Sequence, residues 1–204
     1  MTMPTTRRPD AGDESGFSLV ELMVVMMIMM IVTFILFGFL DSTTRLTARQ
    51  ANRTEAENAA NLALRRVSED LRSATFITAC PSPATYASCI KFSVPAQGPN
   101  ASCPERTVTY QLSGSVLEET QISYSSSCAV TTTYNGATVL SSMVNDSSHP
   151  LFTYYNSSQS QIDVVNDPSA VPAAVAALVT VQVSYTGASS VLTLSNFVAL
   201  RNNR

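Results

Sequence analysis

Residues 17–40 read FSLVELMVVMMIMMIVTFILFGFL, and Glu21 is the only charge among these 24 residues. At about 1.5 Å per residue a helix of this length spans roughly 36 Å, enough to cross a bilayer. A helix buried in a protein core is rarely apolar on every face for so long. The methionines Met23, Met26, Met27, Met29 and Met30 read as adaptable apolar filler rather than metal ligands. A secretory signal peptide has a shorter apolar stretch, followed by a small-residue cleavage site. This run is too long and no such site follows it, so the segment is expected to stay in the mature protein.

Outward from this run the chain changes twice. Residues 1–16 form a polar leader with Arg7, Arg8, Asp10, Asp13 and Glu14, and nothing apolar to fold around. From Phe17 to Cys80 there is no proline, and Gly38 is the only glycine. Beyond residue 40, Ala56, Ala60, Leu64, Val67, Leu71 and Ala74 recur at spacings of three and four. Charged residues take the other faces, with Arg65/Glu69 and Arg66/Asp70 spaced for i,i+4 pairing. Pro81 and Pro83 are expected to stop the helix. The spacing predicts a transmembrane helix over 17–40, continued as an amphipathic helix over 41–79 and roughly 90 Å long in all. Arg45, Arg49, Arg53 and Glu57 fall on one stripe, read either as a solvated face or as a contact for lipid headgroups or a neighbouring subunit.

After residue 84 the period becomes two. Ile90, Phe92 and Val94 alternate with Lys91 and Ser93, and Val108, Tyr110 and Leu112 alternate with Thr107, Thr109 and Gln111. SVLEETQISY, LFTYYN, SQIDVV, LVTVQVSY and VLTLSNFVAL read as further strands. Turn residues separate them at Ser113-Gly114, Asn135-Gly136, Asp167-Pro168 and Thr186-Gly187. The expectation is one antiparallel sheet of about five to seven strands, packed by one face on the amphipathic half of the helix. The fold class is α+β, with a β-rich head over 80–204.

Composition narrows the function. Charged residues are 13% of the 204, net charge is −3, and only Lys91, Arg106, Arg201 and Arg204 are basic after residue 72. No strong nucleic-acid site is expected from so few cations. The head carries Cys80, Cys89, Cys103 and Cys128. An even set behind a membrane anchor suggests two disulfides in an oxidising compartment, and local spacing favours Cys80–Cys89 and Cys103–Cys128 among three possible pairings. The absence of a C-x₂-C pair and the solitary His149 argue against zinc. Asp163 and Asp167 lack the density of a calcium loop. No cofactor is expected. Arg7 and Arg8 precede the apolar run and Arg45, Arg49 and Arg53 follow it, a count that does not favour an N-inside orientation; the cysteines and the polar head are what place the C-terminal domain outside.

Residues 16–22, Gly-Phe-Ser-Leu-Val-Glu-Leu, open the apolar run. This junction resembles the class III signal of type IV prepilins and type II secretion pseudopilins. The resemblance implies cleavage after Gly16 by a prepilin peptidase that also methylates the new amine of Phe17. It also implies a pilin-like fold, and Glu21 as the acidic residue used in assembly with other major and minor pilin subunits. Elementary chemistry agrees. Gly16 lets a protease approach the backbone closely. A carboxylate in a membrane segment costs about 2.5–3.5 kcal/mol at mid-helix and less near the interface, so Glu21 should have a partner. The amine of an adjacent subunit is one candidate; its own chain's amine is another, and protonation near the headgroups a third.

Further along, VTYQLSGSVLEET, LFTYYN and the ending SNFVALRN look like the minor-pilin group that includes the J-type pseudopilin and W-type minor pilin. The departure is at the end of the chain: the last cysteine is Cys128, whereas many major pilins carry a disulfide loop near the C-terminus. The reading is a minor pilin, a non-enzymatic single-pass protein of the cytoplasmic (inner) membrane with an exported head, assembled into a pilus. A secretion pseudopilin and a competence-type pilin that takes up DNA are the alternatives. A signal-anchored exported enzyme is the rival from another class, and no G-x-S-x-G, H-E-x-x-H or phosphate-loop signature favours it.

Overall fold

The computed structural model describes residues 18–78, 80, 87–95, 104–187 and 190–200. Its architecture is α+β: a long N-terminal helix followed by antiparallel sheet. The chain divides into two compact units, Met1–Ala48 and Arg49–Arg204. Helix α1 runs over Leu19–Ser73.

In the first unit, apolar side chains from Leu19 to Leu40 are exposed around the whole helix, from Val32 at 44% to Leu19 at 74%. None of the described residues covers them, so they need lipid or other helices as solvent. Thr33 turns its hydroxyl inward, donating to the Met29 carbonyl at 2.7 Å, which satisfies a polar group in an apolar stretch.

In the second unit, Ala60, Ala63, Leu64, Val67 and Leu71 form the buried stripe of α1, as the spacing of three and four requires. The helix ends at Ser73, six residues before the expected stop at 79. The run Thr75-Phe76-Ile77-Thr78 is β-branched and aromatic, and sheet pairing claims it. Thr75 N–H donates to the Ser93 carbonyl at 2.9 Å, and β1 (Phe76–Thr78) pairs with β2 (Cys89–Pro95). Tertiary pairing overrides a helix-compatible pattern here.

Among the described residues the strands form two sheets rather than one. β1, β2, β3 (Pro104–Ser113), β4 (Val116–Tyr124) and β5 (Val130–Leu140) make a five-stranded antiparallel sheet in sequence order. β6 (Phe152–Tyr155), β7 (Ala176–Val183) and β8 (Leu192–Ala199) make a three-stranded one. A 3-10 helix, Pro168–Ala173, lies between β6 and β7 and packs against β1. Ile90, Phe92, Val108, Tyr110 and Leu117 face inward from the first sheet, and Tyr154, Ala177, Val179, Val181 and Val198 from the second. The β3–β4 hairpin closes through Gly114 at φ +61°, a left-handed position that suits glycine.

Three expected features differ. Asn135-Gly136 lies inside β5 instead of ending a strand: Gly136 has φ +64° beside a register shift, the geometry of a bulge. SQIDVV is not a strand. Asp163 Oδ1 accepts the Val165 and Asn166 N–H groups at 3.0 and 3.1 Å, winding the segment into a turn. Arg66 and Asp70 do not pair with each other, since each finds a partner on the sheet.

Cys80 and Cys89 are disulfide-bonded, with Cα atoms 6.3 Å apart and a sequence separation of 9. Cys128 is also disulfide-bonded; Cys103, its favoured partner, lies outside the described residues. The first bridge ties the segment after β1 to β2, and both its sulfurs are buried. Closing a loop of this size restricts the unfolded chain by about 2–3 kcal/mol. Cys80→Ser with Cys89→Ser is expected to lower the head's unfolding free energy by that amount, read from denaturant unfolding of the full chain in detergent.

Candidate processing and assembly site

The first turn of α1 carries a specific arrangement. Ser18 Oγ accepts the Val20 N–H at 3.3 Å, and Glu21 Oε2 accepts the Ser18 N–H at 3.2 Å. This reciprocal pattern is a capping box, built from the spacing Ser-x-x-Glu directly before an apolar run. The signal is local and legible in the sequence, where Ser18 and Glu21 stand three residues apart. Capping gives the carboxylate a hydrogen bond within its own chain and sets it where the helix N-terminus favours an anion. Gly16 and Phe17 lie outside the described residues.

A second cluster, unforeseen in the sequence, joins α1 to the first sheet. Asp70 Oδ1 accepts Arg106 Nη2 at 2.9 Å, and Asp70 Oδ2 accepts the Tyr110 hydroxyl at 2.6 Å. Tyr110 Oη also lies 3.3 Å from Glu119 Oε2, which Arg66 Nη2 meets at 2.8 Å. Two carboxylates, two guanidiniums and one phenol thus form a charge-balanced chain from helix to β3 and β4. Glu119 is buried, with its side chain 7% exposed, and a carboxylate so placed requires this pairing. Burial pushes the Tyr110 phenol far above its ordinary value, and the Asp70 carboxylate reinforces the shift. The phenol therefore stays a donor. No sequence pattern marks this cluster, because its members lie up to 53 residues apart (Arg66 to Glu119).

Arg45 pairs with Asp41 at 3.0 Å, Arg53 with Glu57 at 2.8 Å, and Arg65 with Glu69 at 2.7 Å. All are i,i+4 pairs at the helix surface, where water screens the attraction. The arginine stripe is thus partly neutralised by its own helix. His149 sits in an exposed turn, its Nδ1 3.3 Å from Asp146 Oδ1. The His149 backbone N–H chiefly holds the Asp146 carboxyl below its usual range. Asp163 is likewise lowered, first by the Asn166 side chain. Each of these acids is committed to its own loop.

A family model described as the prokaryotic N-terminal methylation motif matches residues 12–37. No curated protein matches the chain. The matched segment takes in Gly16, Phe17 and Glu21 and most of the exposed apolar stretch. It supports a subunit of the type IV pilin or pseudopilin type, which implies processing by a peptidase and assembly with other pilins. The helix suggests a single-pass membrane anchor.

Proposed function

We propose that this chain is a minor subunit of a type IV pilus, cut after Gly16 and N-methylated at Phe17. The observation that carries the reading is the methylation motif over residues 12–37 running directly into a helix exposed on all its apolar faces. Cutting there leaves the helix in the membrane and creates an α-amine that is positive at neutral pH; methylation keeps the charge. The helix then packs among those of other subunits. Repeated head-to-tail contacts of this kind build open filaments. The head, on the exported side of the inner membrane, contributes contacts rather than catalysis.

The likeness of VTYQLSGSVLEET, LFTYYN and SNFVALRN to the minor-pilin group favours a minor over a major subunit. The same processing and packing serve a type II secretion pseudopilin, and co-purification with a retraction ATPase or with a secretion channel separates the two. Intact mass and N-terminal sequencing of the membrane-extracted chain are expected to show a mature form beginning at methylated Phe17. An N-terminus elsewhere, or an unmethylated amine in every preparation, overturns the proposal.

A further inference from the structure

The two sheets have four edges, and three are closed in ways that proteins use against unwanted strand pairing. β1 has three residues and is packed by the 3-10 helix. β5 slips register against β4 at three places, and such bulges bend an edge away from a flat partner. β6 has four residues. Its free side is taken by the Ala87 carbonyl, which accepts Phe152 N–H at 3.1 Å, and by Ile162 N–H, which donates to the Tyr154 carbonyl at 2.8 Å.

β8 carries none of these devices. Its 8 residues, Leu-Thr-Leu-Ser-Asn-Phe-Val-Ala, include no charge, proline or glycine. They pair with β7 in unbroken register from Ala176↔Ala199 to Val183↔Leu192. Among the described residues no backbone pairs with the outer edge. A groove of about 360 Å³ runs beside it, with Ser195 and Asn196 on one wall and Arg65, Glu69 and Arg72 of α1 on the other. Ser195 and Asn196 point to opposite faces of the sheet, so a groove touching both lies at the edge rather than beneath. Asn196 Nδ2 donates to Ser68 Oγ at 2.7 Å and holds the strand to the helix.

The groove is cationic on balance. Arg65 is paired with Glu69, while Arg72 is exposed and makes no ion pair among the described residues. On the outer face of the sheet Phe197 is 53% exposed, set edge-on to Tyr155 with ring centroids 5.4 Å apart. We propose that β8 accepts an extended strand from a different protein, with acidic side chains turned to Arg72 and apolar ones beside Phe197. Main-chain hydrogen bonds along the edge provide attachment, and alternate side chains select the partner. A second copy offering its own β8 brings no acid to Arg72, because that strand contains none. The inference concerns the head alone and does not depend on how the N-terminus is processed.

A benzophenone amino acid is placed in turn at Thr193, Ser195 and Phe197 of the full-length chain in the cells that make it, with Thr133 on β5 as control. Irradiation is expected to give adducts with one other protein. Their attachment points step by two residues per position along a segment that alternates acidic and apolar side chains. Arg72→Glu is expected to lose these adducts and Arg72→Lys to keep them. Attachment in helical steps of three or four, attachment to a second copy, equal adducts from Thr133, persistence in Arg72→Glu, or no protein adduct each overturn the proposal. Processing is read separately from the mass of the mature chain, so its failure is not confused with failure of the edge contact.

Discussion

The Glu21→Ala chain is expected to be cut, methylated and inserted, yet to be missing from filaments. The proposed cut lies at the Gly16–Phe17 junction, which the substitution leaves intact, and the apolar helix still drives insertion. What is lost is the carboxylate. Two roles meet in it, since Glu21 accepts the Ser18 N–H within its own chain and has the amine of a neighbouring subunit as a candidate partner. Losing the cap alone costs about 1 kcal/mol of helix start, a small matter for a helix held in a bilayer. Losing an ionic contact between subunits costs more, and every 1.4 kcal/mol is about tenfold in association. Glu21→Gln separates the roles: its amide oxygen can still accept from Ser18, but it carries no charge. Incorporation in sheared filaments, measured by immunoblot, is expected to fall about tenfold or more for both variants. Normal incorporation of Glu21→Gln sinks the charge-pairing idea and leaves capping as the role of the residue.

Asp70→Ala is expected to be the most damaging single polar substitution in the head, at about 2–3 kcal/mol of stability. It leaves the Tyr110 hydroxyl with only the longer contact to Glu119, and leaves Arg106 with no carboxylate at Oδ1. Removing one member of a fully buried pair costs about 3–5 kcal/mol. The Arg106 side chain is a third exposed, so water recovers part of that. Tyr110→Phe, which removes the donor and leaves both arginines in place, is expected to cost about 1–2 kcal/mol. The double variant should cost less than the sum, by about 1 kcal/mol, because the two residues share one hydrogen bond. Chemical denaturation of the detergent-solubilised chain measures all three; strict additivity would show that the 2.6 Å contact carries no coupling.

Where local spacing decides structure, the sequence was readable. The buried stripe of α1 followed from apolar residues three and four apart, and β7 from the alternation of Ala177, Val179, Val181 and Val183 with Leu178, Thr180 and Gln182. Where a distant partner decides, it was not. The helix stops at Ser73 because Ser93 and β2 take up the next residues. β5 was missed because residues 130–138 are exposed throughout, which removes the alternation that marks a strand. Arg66 and Asp70 had ideal helical spacing and still parted, since Glu119 on β4 and Arg106 on β3 stand within 2.8 and 2.9 Å of them. At the candidate site, the junction and Glu21 were legible because they are contiguous. The capping box was equally contiguous, but reading Glu21 as a charge hid its use as a hydrogen-bond acceptor.

The bond from Asn196 to Ser68 spans 128 residues and joins the last strand to the helix that comes first in the chain. During synthesis α1 emerges early, with Ala60, Leu64, Val67 and Leu71 already on one side. Those side chains share one buried cluster with Val179, Val181 and Val198 of β7 and β8, which are made last. Long-range closures of this kind are slow, and in the interval the apolar stripe is open to wrong associations. The head is therefore at its most vulnerable before it is finished, while the stripe still lacks its last neighbours.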